Sequence, residues 1–186
     1  IENQLLHSLL NINGQLKVGT EEQANGKLIG GYIKAGTHVS AGIVGATAGS
    51  NTIINFKHEI IKLKEQMQDI ESRLKLDSAK TTELKAATNK LKNLPKDKAK
   101  PGMLAKVIST YQFHAKRLGE ILLEKEALEK ATQDYMESVY IEATEKLYHG
   151  VELIVDDFHD RSRREYGPSR MIYKERKIHI DPRVNT

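Results

Sequence analysis

The sequence predicts a mixed α and β fold in which a β body is interrupted by one long antiparallel two-stranded coiled-coil hairpin. Three observations carry this. Short β-type pieces set off by glycines or Asn-Gly pairs fill residues 1–57, a strict three-four spacing runs from His58 to about Tyr135, and period-two alternation returns for residues 136–186.

The opening segment reads as pieces at Gln15 to Val18, Leu28 to Ala35, His38 to Val44 and Thr52 to Phe56, with Asn13-Gly14 and Asn25-Gly26 among the separators. No helical period of useful length fits there. The first helical arm carries Ile60, Leu63, Met67, Ile70, Leu74, Asp77, Thr81, Leu84, Thr88 and Leu91. The second carries Leu104, Val107, Tyr111, His114, Leu118, Ile121, Lys125, Leu128, Thr132 and Tyr135. Between them, Pro95 and Pro101 close one helix and permit the next, which places the tip at about 94–102.

Laid antiparallel, the two lists pair throughout at residue numbers summing to 195: Ile60 with Tyr135, Met67 with Leu128, Leu84 with Tyr111, Leu91 with Leu104. Every a position then meets a d position, as an antiparallel coiled coil requires. Each arm is on the order of 50 Å long at 1.5 Å per residue. Beyond Tyr135, "VYIEA", "VELIVDDF" and "MIYKERKIHI" alternate like strands, Val151 to Phe158 reading as one of them. Because the two ends of a hairpin lie together, the flanking β segments must meet, and the coiled coil reads as an insertion at 58–135 into one β body.

The composition narrows the classes. With 186 residues, no Trp and 5% aromatics, packing falls to Leu, Ile, Val and Ala. No Cys means no disulfide framework and no thiolate metal site, and favours a reducing compartment. No apolar run approaches the roughly 20 residues of a bilayer span. A first residue of Ile1 rather than Met suggests a fragment. The formal charge of +4 is concentrated: Arg161 to Lys177 holds Arg161, Arg163, Arg164, Arg170, Lys174, Arg176 and Lys177 against Glu165 and Glu175.

Ile33 and Val39 lie six apart, as do Ala35 and Ala41, with glycines between. A narrow β-solenoid uses that mixture, stacking branched residues inward and fitting small ones at corners; an ordinary small β-domain with glycine turns fits equally well.

The run "GKLIGGYIKAGTHVSAGIVGATAGSNTIINF", a long charged coiled coil and then "KLYHGVELIVDDF" together resemble the C-terminal region of the flagellar assembly protein A family. The shared features fall on Gly30, Gly31, Ile33 and Ala35, on Val44, Gly45, Gly49, Thr52 and Ile54, and on Tyr148, Gly150 and Val151. His149 stands where the family usually has Pro, and Phe56-Lys57 replaces a Val-Gly ending. The resemblance implies the end of a right-handed β-helix (β-solenoid), its coils supplied by residues 1–57 and again by 136–186, with most of the body upstream. It also implies a non-enzymatic cytoplasmic scaffold of bacterial flagellar assembly and motility, at the flagellated pole. Its partners would be flagellar-pole proteins or a sugar-phosphotransferase-system component, with self-association through the solenoid. No catalytic residue or cofactor comes with the resemblance.

Read for chemistry, the seven histidines show no His-x-x-x-His spacing and no Ser-His-acid set. Asp156, Asp157, His159 and Asp160 read as a solvated turn in preference to a metal site. "GATAGSN" lacks the Lys and Ser/Thr of a phosphate loop. On the helical seam, Asp77 opposite Leu118, Thr81 opposite His114 and Lys125 opposite Ile70 form polar layers expected to fix the register, in preference to the alternative of a flexible, pH-sensitive joint at His114. Arg161, Arg163, Arg164, Tyr166, Arg170, Tyr173 and Lys174 are the expected partner-binding surface, favoured for an acidic protein partner. The alternative is a nucleic-acid-binding factor using 161–177, with phosphate contacts and ring stacking.

Overall fold

The computed structural model describes residues 1–93 and 102–183. These divide into two compact units, Ile1–Lys62 with Thr132–Thr186, and Leu63–Ala131. The expected hairpin tip falls outside the described residues except for Gly102.

Two columns of parallel strands build the first unit. β1 (Gln4–Ile12), β3 (Lys27–Ala35), β5 (Thr52–Asn55) and β7 (Val151–Val155) pair in succession, as do β2 (Leu16–Val18), β4 (His38–Val44) and β6 (Tyr140–Leu147). Gln4 aligns with Lys27 and Leu16 with Val39, so 27 − 4 and 39 − 16 both give a repeat of 23 residues. The next rung, Gly31 to Thr52, takes 52 − 31 = 21. A near-constant repeat in parallel register is what makes this sheet solenoid-like. β4 then pairs with β6 over 140 − 38 = 102 residues and β5 with β7 over 151 − 52 = 99, because both helices lie between β5 and β6.

The registers create inward ladders. Leu10, Ile33, Ile54 and Leu153 stack down one column, and Leu16, Val39 and Ile141 down the other. All but half-buried Leu10 lie in the core. Each such side chain contributes about 1.5–3 kcal/mol through burial. The six-residue spacing of Ile33 with Val39 and Ala35 with Ala41 therefore differs from a rung repeat: it joins β3 to β4 around one corner, and stacking partners are 21–23 residues apart. Small residues are placed where backbones crowd. Gly31 has φ +96°, and a Cβ there would run into the backbone carbonyl of Ser8 on the neighbouring rung.

Three antiparallel strands finish the stack. β8 (Phe158–Arg161) folds back on β7, β9 (Ser169–Lys174) pairs with β6, and β10 (Lys177–Pro182) pairs with β9. Val151 to Phe158 is thus two strands and not one. The chain reverses at Asp156-Asp157, where Asp156 takes φ 54°, a conformation Asp tolerates better than most residues. The turn at Tyr148 to Gly150 forms without the family's Pro: the Tyr148 N–H donates to the Val44 carbonyl and the Gly150 N–H to the Ser162 carbonyl. β1 is not evident in the sequence because Leu5, Leu6, Leu9 and Leu10 obey no simple alternation, and in the fold His7 breaks the strand with φ 42°.

α1 (Lys57–Lys92) and α2 (Met103–Ser138) are rooted in the first unit. Asn55 Oδ1 accepts the Lys57 N–H at 2.8 Å, capping α1, while Ile60, Met136 and Val139 enter the β core. The Tyr135 hydroxyl reaches the carbonyls of Gly36 at 2.9 Å and Phe56 at 3.2 Å, tying α2 to the β3–β4 corner and the end of β5.

Gly31→Val should lower stability by at least about 2 kcal/mol in thermal or denaturant unfolding, because it combines positive φ with a backbone clash. Gly14→Ala, with nothing within 4 Å, should stay within about 0.5 kcal/mol. Equal effects would contradict the close-packed rung. Tyr135 supplies a pH test: burial, aided by the Glu59 charge, pushes its phenol up to about 12. The unfolded phenol titrates near about 10, so the contribution of neutral Tyr135 is complete below that pH and is lost as pH rises toward 12. Tyr135→Phe should abolish this alkaline phase of the stability curve, read alongside tyrosinate absorbance; an unchanged phase would remove Tyr135 as its source.

Candidate interaction surfaces

The second unit contains the stretches of α1 and α2 within Leu63–Ala131. Four cross-helix contacts run in opposite senses. Glu71 meets Lys125 at 3.7 Å, Arg73 meets Glu124 at 2.7 Å, and Asp77 meets Arg117 at 3.2 Å and His114 at 2.6 Å. Numbers rise along α1 as they fall along α2, so the helices are antiparallel here. Every seam position of the two periodic lists from Leu63 to Leu128 is buried or half-buried.

Asp77 is the centre of the polar layer and is 1% exposed. His114 Nδ1 bonds its Oδ1, where the sequence register placed His114 against Thr81. Arg117 Nε lies against Oδ2 as an ion-pair contact and not as an aligned hydrogen bond. The physical reason is charge: a carboxylate in an apolar seam draws whatever cation or N–H donor lies within a turn. Thr81 instead donates its hydroxyl to the Asp77 carbonyl at 2.7 Å. Lys125, expected opposite Ile70, extends to Glu71 and Glu129, each at 3.7 Å.

The expected basic surface is re-sorted by the fold. Arg161 is held by Glu152 at 2.8 Å and Arg170 by Glu142 at 2.8 Å, with Arg183 also on Glu142 at 3.2 Å. The Arg170 guanidinium lies 4.3 Å from the Tyr140 ring centroid, and Tyr140 stacks on His38. Arg164 covers Tyr166 at 5.1 Å. Tyr173 is 2% exposed and packs on Phe158, so its ring is not a stacking surface; burial raises its phenol pKa. Arg163, on the other hand, is 87% exposed with Asp160 at 3.9 Å, and Lys174 is exposed.

Sequence reasoning missed a polar groove of about 630 Å³ on the outer face of β2, β4 and β6, edged by Glu22 to Asn25. Lys17, Ser40 and Glu142 line it because they share one register row, and Thr144 closes its side through the Ala24 carbonyl at 2.7 Å. Only strand pairing reveals that row, since its members are distant in sequence. Among the described residues no cluster of His, Cys, Asp and Glu could hold a metal, and no helix is long and apolar enough to cross a membrane.

Parallel rungs, antiparallel closing strands and two long helices inserted between β5 and β6 define a protein of the β-solenoid class. A family model described as the flagellar assembly protein A beta solenoid domain matches residues 1–178. The chain belongs to that family. No curated protein and no solved structure gives a significant match.

Asp77→Ala should destabilise the protein by about 2 kcal/mol or more, by leaving His114 without its partner. Replacing both at once, Asp77→Leu with His114→Leu, should restore or exceed the original stability in denaturant unfolding. A double variant as unstable as the single one would show that the pair itself stabilises the seam.

Proposed function

We propose that the protein is a non-enzymatic scaffold in bacterial flagellar assembly and motility, working through protein contacts in the cytoplasm at the flagellated pole. Family membership is the observation that carries this reading. The right-handed β-helix would be the rigid base, and α1 with α2 an antiparallel coiled coil in the 195-sum register offering a second docking surface. Asp77, Thr81, His114 and Lys125 would disfavour slipped pairings of that coil, since a slip carries the buried Asp77 carboxylate away from His114 and Arg117. Three exposed cations of the basic segment, Arg163, Arg164 and Lys174, suit an acidic partner. Flagellar-pole proteins and a sugar-phosphotransferase-system component are the two partner classes to test.

The test is capture from a flagellated bacterium, using the full chain and a variant carrying Arg163→Glu, Arg164→Glu and Lys174→Glu. The full chain should retain flagellar-pole or phosphotransferase components, and the charge-reversed chain should lose at least one of them. Recovery of neither class by the full chain would sink the flagellar reading. Identical recovery by both chains would remove the basic surface from it.

A further inference from the structure

The hairpin from β9 to β10 contains two unfavourable features. Its two central residues, Glu175 and Arg176, take φ 51° and 61°. A two-residue turn with both φ positive strongly favours Asn-Gly, and side chains as large as Glu and Arg are strained there. The residues flanking the turn, Lys174 and Lys177, are register partners, so two like charges stand directly opposite each other. Among the described residues no ion pair within 4.0 Å involves Lys174, Arg176 or Lys177.

The turn overhangs a hollow of about 430 Å³ beside β8, into which Arg163 also faces along with Arg176 and Lys177. Phe158 and Ile178 supply apolar lining. The two carboxylates present are already engaged: Asp157 meets Lys57 at 3.8 Å, and Asp160 accepts the Arg161 N–H at 2.7 Å. Three cations thus face one concavity; Asp160 also lies 3.9 Å from Arg163, which leaves Arg176 and Lys177 as the two without an ion pair among the described residues.

We infer that this hollow is the binding site for a carboxylate-bearing segment of a partner protein, with Arg176 and Lys177 as its principal contacts. The inference rests on the protein-scaffold reading and sharpens it, moving the centre of the basic surface from Arg161 and Arg170 to the β9–β10 turn. A peptide is a better occupant than nucleic acid. It can set single carboxylates against Arg176 and Lys177 and its side-chain methylenes against Phe158 and Ile178, whereas a phosphate backbone has no apolar part to place there.

The experiment is calorimetric titration of the full chain at low salt with hexaglutamate and, separately, with an oligothymidylate of similar charge. The wild-type chain should bind hexaglutamate more tightly than the oligonucleotide. Glu175→Asn with Arg176→Gly should weaken hexaglutamate binding at least about tenfold while raising the thermal midpoint by about 2–4 °C, since the turn becomes the favoured one. Lys177→Glu should weaken binding similarly with the turn left intact. Absent hexaglutamate binding, unchanged affinity in both variants, or preference for the oligonucleotide would each overturn the proposal. Loss of flagellar partners in the capture experiment with hexaglutamate binding preserved would overturn the function and leave the site standing.

Discussion

Parallel pairing across the helical insertion is the constraint on which the rest depends. β4 finds β6 and β5 finds β7 after about a hundred intervening residues, yet each meets its partner in the same inward-outward phase as the preceding rung. A slip of one residue would turn Ile141 and Leu153 outward and empty the core at two points. The two ends of the insertion are held together, the Tyr135 hydroxyl reaching the Phe56 carbonyl at 3.2 Å, which lowers the entropic cost of the long connection. The helix roots add side-chain anchors to the closure: Ile60, Met136 and Val139 in the core, Asn55 on Lys57, and Tyr135 on two carbonyls.

The helices and most strands were legible because their signals are local. Three-four spacing needs only the run of residues from Ile60 to Leu91 and its mirror from Leu104 to Tyr135, and glycines mark the β turns. The rung repeat was hidden for a physical reason. Its members, such as Ile33, Ile54 and Leu153, are separated first by 21 residues and then by an insertion, so no fixed interval connects them. The six-residue spacing was a visible but different regularity, the width of one corner. The reversal at Asp156 was hidden because Val151 to Phe158 alternates acceptably for a single strand; only a positive φ at an Asp betrays the turn.

The candidate surfaces were legible in composition and not in allocation. Sequence alone concentrates seven cations between Arg161 and Lys177, but cannot tell which are engaged internally. Strand register decides that. Arg161 lies across from Glu152 and Arg170 from Glu142, so both are tied up in cross-strand pairs, and the alternation of β9 turns Tyr173 into the core. What stays available is the turn, where no strand neighbour offers a carboxylate. The same logic governs the helices, where buried Asp77 draws His114 and Arg117 toward itself.

Amide hydrogen exchange on a chain whose residues 63–131 are replaced by a short Gly-Ser link tests the central claim most directly. If parallel rungs carry the body, the amides of Ile141, Ala143, Leu153 and Val155 should exchange as slowly in the shortened chain as in the full one. Rapid exchange at these positions, with β1 to β4 still protected, would contradict the account and make the second unit a condition of strand pairing instead of an insertion into it.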